Sequence, residues 1–263
     1  MNKSNRPNLN IVTLGCPKNL VDSEILHGAL SGFFNVSHNG TGESYHTIII
    51  NTCGFILDAK EESIDVILHY VNEKERGRVK KLLVFGCLSQ RYPVELAREI
   101  PEVDKFYGAG CYREITEDLT CGGINEISPV RIISTPMHYA YLKIAEGCNR
   151  RCSFCAIPSI RGRYRSFDTD LLINEAGYLA ENGVKELILI AQDLTYYGFD
   201  KSKKPELTSL IKKLADIKGI EWIRLHYAYP NTFPDTLISL IYDNPKICRY
   251  VDIPLQHISD KIL

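Results

Sequence analysis

The first half of the chain alternates between short apolar runs and longer amphipathic stretches. Apolar runs rich in leucine and β-branched residues lie at Leu9–Leu14, His46–Ile50 and Lys81–Phe85. Apolar residues recur at helical spacing in Leu20–Leu30, Ala59–Asn72 and Pro93–Glu99. Continuous apolar strands that alternate with helices are typical of parallel βαβ units whose sheet is covered on both faces. The pattern therefore predicts an α/β domain with a parallel sheet.

A second β/α series follows a stretch rich in Gly, Pro and Ser. That stretch predicts a linker over 123–136, with one short strand at Val130–Ile133, between a first domain (1–122) and a second (137–263). The strands predicted in the second domain are Tyr139–Ile144, Glu186–Ala191, Trp222–His226 and Tyr250–Ile253, and the helices are Asp168–Asn182, Leu207–Lys218 and Pro234–Asp243. No helix follows the fourth strand, so we expect a partial barrel in a chain truncated at its C-terminal end.

The composition is that of a globular protein, with 44% apolar residues, 24% charged residues and a formal charge of −1. No apolar run approaches the ~18–20 residues of a membrane-spanning helix. The first ten residues contain no apolar signal segment, so we expect a cytoplasmic protein without membrane contact. The near-zero charge argues against direct binding of nucleic acid through a broad basic face.

Nine cysteines are the unusual part of the composition, and three of them lie on one loop. Disulfides are not expected in a reducing compartment. Cys148, Cys152 and Cys155, the loop triad, directly follow the first strand of the second domain, at the end where α/β barrels carry their active sites. The loop triad could hold zinc with one outside ligand. It could also hold a 4Fe–4S cluster, which normally takes four cysteines and would here keep one iron open; the x3/x2 spacing favours the cluster.

Three further cysteines follow the three strands of the first domain. Cys16, Cys53 and Cys87, the strand-end triad, are 37 and 34 residues apart. Because the carboxyl ends of parallel strands share one edge, where open α/β sheets bind ligands, the pattern predicts a second three-cysteine metal site. The alternative is three separately buried cysteines, which is also the reading for Cys111, Cys121 and Cys248.

The segments around both triads carry a family resemblance. They are TLGCPKNLVDSE, NTCGFI, VFGCLSQRY, EGCNRRCSFCAIPSIRGRYRS and DIPLQHISDKIL. Together they resemble the radical S-adenosylmethionine (SAM) methylthiotransferases. Within that family, TLGCPKN with LVDSE is similar to the RimO-type branch, which adds a methylthio group to the β-carbon of an aspartate in the twelfth small-subunit ribosomal protein. The resemblance implies a flavodoxin-like first domain followed by an incomplete radical-SAM (β/α) partial barrel.

The resemblance also implies cofactors, partners and roles for the two triads. It implies two 4Fe–4S clusters and SAM as cofactors. At the loop triad, the catalytic site, an open iron would bind SAM and cleave it to a 5′-deoxyadenosyl radical. The strand-end triad would hold an auxiliary cluster that carries sulfur. The implied partners are the ribosomal protein and a reductant such as flavodoxin or ferredoxin. A MiaB-type transfer-RNA methylthiotransferase and an inactive iron–sulfur or zinc-binding fragment stay open as alternatives.

The other candidate residues follow or line the strands of the second domain. Gln192 and Asp193 follow the strand Glu186–Ala191 and are predicted to bind the cofactor, with a loop cap as the alternative. Arg224 is a third predicted cofactor-binding residue, on a strand of which only alternate side chains can face the barrel interior. Three arginines after the loop triad either meet a negatively charged substrate or keep the loop solvated: Arg161, Arg163 and Arg165.

Overall fold

The computed structural model describes residues 6–42, 44–120, 122, 131–230, 233–255 and 257–261. The chain divides into two compact units. The first comprises Met1–Ser134 together with Ser159–Arg161, and the second comprises Thr135–Pro158 and Gly162–Leu263. Each unit is built on a parallel sheet, so the predicted α/β class is confirmed. The predicted linker 123–136 lies largely outside the described residues, and its boundaries stay a prediction.

The first unit contains a five-stranded sheet. Its strands are β1 (Asn8–Thr13), β2 (Asn35–His38), β3 (Tyr45–Thr52), β4 (Val79–Gly86) and β5 (Lys105–Phe106). All neighbouring pairs are parallel, in the order β2-β1-β3-β4-β5. This is the flavodoxin-like order of doubly wound sheets, in which the winding direction reverses between β1 and β3. Such a switch point opens a crevice at the carboxyl ends of these two strands.

Helices cover both faces of this sheet, as the apolar runs predict. They are α1 (Pro17–Leu30), α2 (Leu57–Glu75), α3 (Cys87–Arg91), α4 (Pro93–Glu99) and α5 (Tyr112–Thr120). Alternate residues of one strand enter different cores: Ile48 and Ile50 pack in one hydrophobic cluster with Ile67 of α2, whereas Ile49 packs in the other with Leu26 of α1. A strand buried on both faces leaves no polar alternation, which explains the continuous apolar runs.

The second unit contains a four-stranded parallel sheet and a small antiparallel pair. The parallel strands are β6 (Tyr139–Lys143), β9 (Glu186–Ile190), β10 (Trp222–His226) and β11 (Ile247–Val251), and the antiparallel pair is β7 (Ala145–Glu146) with β8 (Arg165–Ser166). The parallel strands are neighbours in chain order, as in a singly wound barrel wall. Its helices are α7 (Thr169–Glu181), α8 (Phe199–Ser202), α9 (Leu207–Ala215) and α10 (Asp235–Asp243). The short helix α6 (Ile157–Arg161) begins in this unit, and its residues Ser159–Arg161 belong to the first.

The structure differs from the predicted elements at several places. It adds the edge strands β2 and β5, and it places β11 three residues earlier than predicted, because Ile247 is the buried residue that pairs with Ile223 of β10. The predicted strand Val130–Ile133 is wrong for the residues that are described: Arg131–Ile133 is not a strand, and Arg131 instead forms an ion pair with Glu24 of α1. Within the described part of the chain, no helix combines the length and hydrophobicity needed to cross a membrane.

Candidate functional site

The strand-end triad lies at the carboxyl edge of the first sheet, as predicted. Cys16 is the residue before α1, Cys53 directly follows β3, and Cys87 is the first residue of α3 after β4. Cys53 and Cys87 are buried and Cys16 is half-buried. Cys16 and Cys53 follow β1 and β3, the two strands that flank the switch point of the sheet, which is the usual ligand position in this topology.

Two close approaches pack the loops of the strand-end triad against one another. Gly15 has φ +84°, and a Cβ added there would lie 2.6 Å from the Cβ and 2.9 Å from the Sγ of Cys53. A Cβ on Gly54 would lie 2.7 Å from the Cα of Leu88 and 2.9 Å from the carbonyl carbon of Cys87. Glycine is thus required at both positions, because any side chain would separate the backbones that carry the three thiols.

A buried arginine contacts this triad. The Nε of Arg161 donates a hydrogen bond to the Sγ of Cys87 at 3.2 Å, and its Nη1 pairs with Asp22 at 2.8 Å. Burial raises the pKa of the Cys53 and Cys87 thiols, and the Arg161 guanidinium opposes that rise at both. The sequence-based reading of Arg161 as a substrate contact or a solvated loop residue is wrong, because its side chain is only 2% exposed.

The loop triad is held at its base by backbone contacts. The antiparallel pair β7–β8 closes the loop, with Ala145 opposite Ser166 and Glu146 opposite Arg165. The N–H of Cys148 donates to the carbonyl of Gly162 at 3.1 Å. We call the β7–β8 pairing and this hydrogen bond the backbone clamp. The sequence analysis did not predict it, because strands of two residues have no recognisable periodicity.

The loop triad contains two internal hydrogen bonds, one of which is made to a cysteine sulfur. The backbone N–H of Arg150 donates to the Sγ of Cys148 at 3.4 Å, and the N–H of Cys155 donates to the carbonyl of Cys152 at 3.1 Å. Burial raises the pKa of Cys148, and the Arg150 N–H opposes the rise because it favours the charged thiolate.

No group of three or more His, Cys, Asp or Glu side chains among the described residues is gathered tightly enough to hold a single metal ion. A mononuclear zinc site needs its sulfurs about 2.3 Å from one ion. A 4Fe–4S cluster instead binds each thiolate to a different iron. Each triad supplies three cysteines, a donor set that can hold a 4Fe–4S cluster with one iron left for an outside ligand.

The predicted cofactor residues Gln192 and Asp193 lie just past β9. The Nε2 of Gln192 donates to Glu146 at 3.2 Å, while its buried Oε1 has no hydrogen-bond partner among the described residues. Asp193 is buried, pairs with Arg150 at 3.0 Å and accepts the N–H of Thr195 at 3.0 Å. Asp193 thus caps the short 3-10 turn that follows, whereas Gln192 keeps an acceptor for a ligand. Cofactor binding by both residues stays a prediction.

Comparison with known proteins identifies two family models along the chain. Residues 8–108 match the uncharacterized protein family UPF0004, and residues 142–263 match the radical SAM superfamily. The chain is 51% identical over 259 residues to the ribosomal protein uS12 methylthiotransferase RimO of Bacteroides fragilis, covering 98% of this chain and 60% of that protein. It is 52% identical over 257 residues to RimO of Flavobacterium johnsoniae, covering 97% and 59%. This chain belongs to the radical SAM methylthiotransferase family.

Solved structures agree with this family at the level of fold. The radical SAM methyltransferase TsrM of Kitasatospora setae superposes with a TM-score of 0.64 at 14% identity, over 97% of this chain and 60% of that one. A second TsrM structure, with a TM-score of 0.63, has cobalamin and a 4Fe–4S cluster bound. The cofactors of the radical SAM methylthiotransferases are 4Fe–4S clusters and SAM, as the sequence predicted. The chain spans about 60% of the length of the curated relatives.

The third predicted cofactor residue, Arg224, makes side-chain contacts with residues of two neighbouring strands of the sheet. Its Nε donates to Glu186 at 2.6 Å, and its guanidinium lies 5.4 Å from the ring centroid of Tyr250. Ile223 and Leu225, its neighbours on β10, are fully buried on the other face. Because Glu186 begins β9, this ion pair points away from the carboxyl end of the sheet. Cofactor binding by Arg224 stays a prediction.

Substituting Gly147 tests how firmly the loop triad depends on its backbone clamp. A Cβ there would collide with the Arg163 carbonyl and lie 2.6 Å from the Gly162 oxygen, at φ +77°. We expect Gly147→Ala to lower the free energy of unfolding by at least about 3 kcal/mol, measured by denaturant titration, and to reduce bound iron. Gly183→Ala is the matched control, because Gly183 has φ +97° with nothing within 4 Å and should cost only about 1–2 kcal/mol. An equal decrease in the free energy of unfolding in the two variants would show that the loop triad does not depend on the backbone clamp.

Proposed function

We propose that this chain carries the two cluster sites of a uS12 methylthiotransferase, which inserts a methylthio group at the β-carbon of an aspartate in ribosomal protein uS12. The observation that carries the proposal is the pair of three-cysteine sites, each following parallel strands at their carboxyl ends, in a chain about half identical to proteins of that name. A radical generator and a sulfur carrier are the two parts that such a C–H substitution requires.

Each triad has a distinct part in the proposed reaction. With clusters bound, the chemistry supplied is reductive cleavage of SAM at the loop triad and retention of the transferable sulfur at the strand-end triad. Cys148, Cys152 and Cys155 are the proposed ligands of the first cluster, and Cys16, Cys53 and Cys87 those of the second. Three protein ligands leave one iron of a four-iron cluster available for an outside molecule.

The protein's own groups orient the cofactor around the loop triad. The β7–β8 pair and the Gly147 turn fix the start of the loop, and the Arg150 N–H favours the thiolate form of Cys148. Gln192 offers its buried Oε1 to a hydrogen-bond donor, and SAM carries such donors on its amino group and ribose hydroxyls. Asp193 holds Arg150 in place through their ion pair, which makes it a positioning residue of this loop.

The partners follow from the proposed chemistry. A one-electron donor such as flavodoxin or ferredoxin is required for the cleavage of SAM. The substrate is a ribosomal protein, so the reaction belongs to the cytoplasm. Because the chain spans about 60% of its curated relatives, we assign substrate recognition to the whole protein and only the two cluster sites to the residues described here.

Anaerobic reconstitution with iron and sulfide tests this function. We expect a brown protein with roughly eight irons per chain, two clusters of four. With SAM, dithionite and uS12, it should release 5′-deoxyadenosine and add one methylthio group to an aspartate. A colourless zinc protein that releases no 5′-deoxyadenosine would overturn the proposal. If the protein instead modified transfer RNA and not uS12, the proposed radical methylthiotransferase reaction would stand and the proposed substrate would be wrong.

A further inference from the structure

Arg161 occupies a position that the proposed chemistry does not by itself explain. It ends the short helix α6, which follows the loop triad, yet Ser159–Arg161 belongs to the first unit. There its side chain is 2% exposed, and each of its three guanidinium nitrogens donates a hydrogen bond. Nε donates to the Sγ of Cys87, Nη1 to Asp22 and Nη2 to the Oδ1 of Asn19.

The bond to sulfur distinguishes this arginine from a purely structural ion pair. Asp22 alone could pair with a buried guanidinium through two parallel hydrogen bonds, the usual arrangement for arginine and carboxylate. Here Nη1 donates to Asp22, while Nε is directed at the Sγ of Cys87. A neutral thiol is a weak acceptor. A donor held 3.2 Å from it is therefore placed for the sulfur in its negatively charged, metal-bound form.

Asn19 extends this contact to the other two cysteines of the strand-end triad. While its Oδ1 accepts from Arg161, its Nδ2 donates to the carbonyls of Leu14 at 2.9 Å and Thr52 at 3.1 Å. Leu14 lies two residues before Cys16, and Thr52 directly precedes Cys53. The backbone N–H of Asn19 also donates to the carbonyl of Cys16 at 2.9 Å. Arg161 and Asn19 together thus contact the Cys87 thiol, the backbone of Cys16 and the backbone that precedes Cys53.

We propose that Arg161 is a positioning residue for the auxiliary cluster, which orients the Cys87 sulfur and raises the reduction potential of that cluster. Potentials of iron–sulfur clusters depend on net charge, on hydrogen bonds to the sulfurs and on solvent exposure. Reduction adds one negative charge to the cluster, and a buried guanidinium beside a ligand sulfur stabilises that charge. This inference rests on the proposed auxiliary cluster.

The test isolates the auxiliary cluster and measures its potential. In the full chain with the loop triad replaced by alanine, anaerobic redox titration followed by electron paramagnetic resonance reports on the strand-end site alone. In that background we compare the parent with Arg161→Gln, Arg161→Lys and Arg163→Gln. Arg163 is exposed, so Arg163→Gln makes the same change of residue type at a position that does not contact the Cys87 sulfur. Arg161→Gln leaves the buried Asp22 carboxylate without its cation, which is destabilising. If that variant does not fold, Arg161→Gln combined with Asp22→Asn removes both charges of the ion pair and replaces it in the comparison.

We expect Arg161→Gln, alone or with Asp22→Asn, to shift the potential to more negative values. The reduced-to-oxidised ratio at a fixed potential should fall at least tenfold, which corresponds to about 59 mV for one electron. Arg161→Lys should recover part of the shift, and Arg163→Gln should equal the parent. Equal potentials in the parent and the Arg161→Gln proteins would overturn the inference and leave the proposed function intact. A parent protein that binds no cluster at all would overturn the auxiliary site itself.

Discussion

Replacing Cys152 with alanine is expected to abolish 5′-deoxyadenosine formation and to lower bound iron from about eight to about four atoms per chain. Cys152 is the central one of the three proposed ligands in the loop triad, and its carbonyl also accepts the N–H of Cys155. Two remaining thiolates on a half-exposed loop hold a cluster poorly, because the chelate loses one of its three anchors. The measurements are chromatography of the nucleoside product after reduction with dithionite and a colorimetric iron assay.

Cys248→Ala provides the matched control for that variant. Cys248 lies on β11 and is also half-buried and free. It belongs to neither triad, so its replacement should leave iron content and 5′-deoxyadenosine formation unchanged. Wild-type nucleoside yield from the Cys152→Ala protein would refute the assignment of the radical-generating site.

Cys53→Ser is expected to separate the two halves of the proposed reaction. The serine hydroxyl preserves most of the volume packed against Gly15 but is a poor ligand for iron. We expect about four irons to remain, 5′-deoxyadenosine formation to persist, and methylthio transfer to uS12 to disappear. Mass spectrometry of the substrate and nucleoside chromatography on the same sample distinguish these outcomes.

Cys111→Ser is the control for this second variant. Cys111 lies in the same unit, is half-buried and belongs to neither triad. Its replacement should change neither iron content nor product. Full methylthio transfer by Cys53→Ser would contradict the auxiliary site, whereas loss of 5′-deoxyadenosine in that variant would mean that the two triads are not independent.

The fold was predictable wherever burial dictates the residue pattern. The strands β1, β3 and β4 are covered on both faces, so their apolar runs identified them. The edge strand Asn35–His38 was missed because its residues are exposed or half-buried and it carries no such run. The helix Tyr112–Thr120 was missed because only two of its residues, Ile115 and Thr116, are buried.

The parts of the candidate site that depend on the spacing of cysteines along the chain were predictable from the sequence. The loop triad follows from three cysteines within eight residues, and the strand-end triad from equivalent positions after three strands. The role of Arg161 could not be inferred in this way. Its neighbours Asp22 and Cys87 are 139 and 74 residues away in the chain, and only tertiary structure decides that Arg161 is buried whereas Arg163 is exposed.

The membership of Ser159–Arg161 in the first unit imposes an order on biosynthesis. When Ser134 leaves the ribosome, every strand of the first sheet has been made, but the arginine that pairs with Asp22 has not. At about 5–20 residues per second, that arginine follows within a few seconds. All three cysteines of the loop triad precede it in the chain. The interior of the first unit is therefore completed only after the cysteines of both triads have been added to the nascent chain.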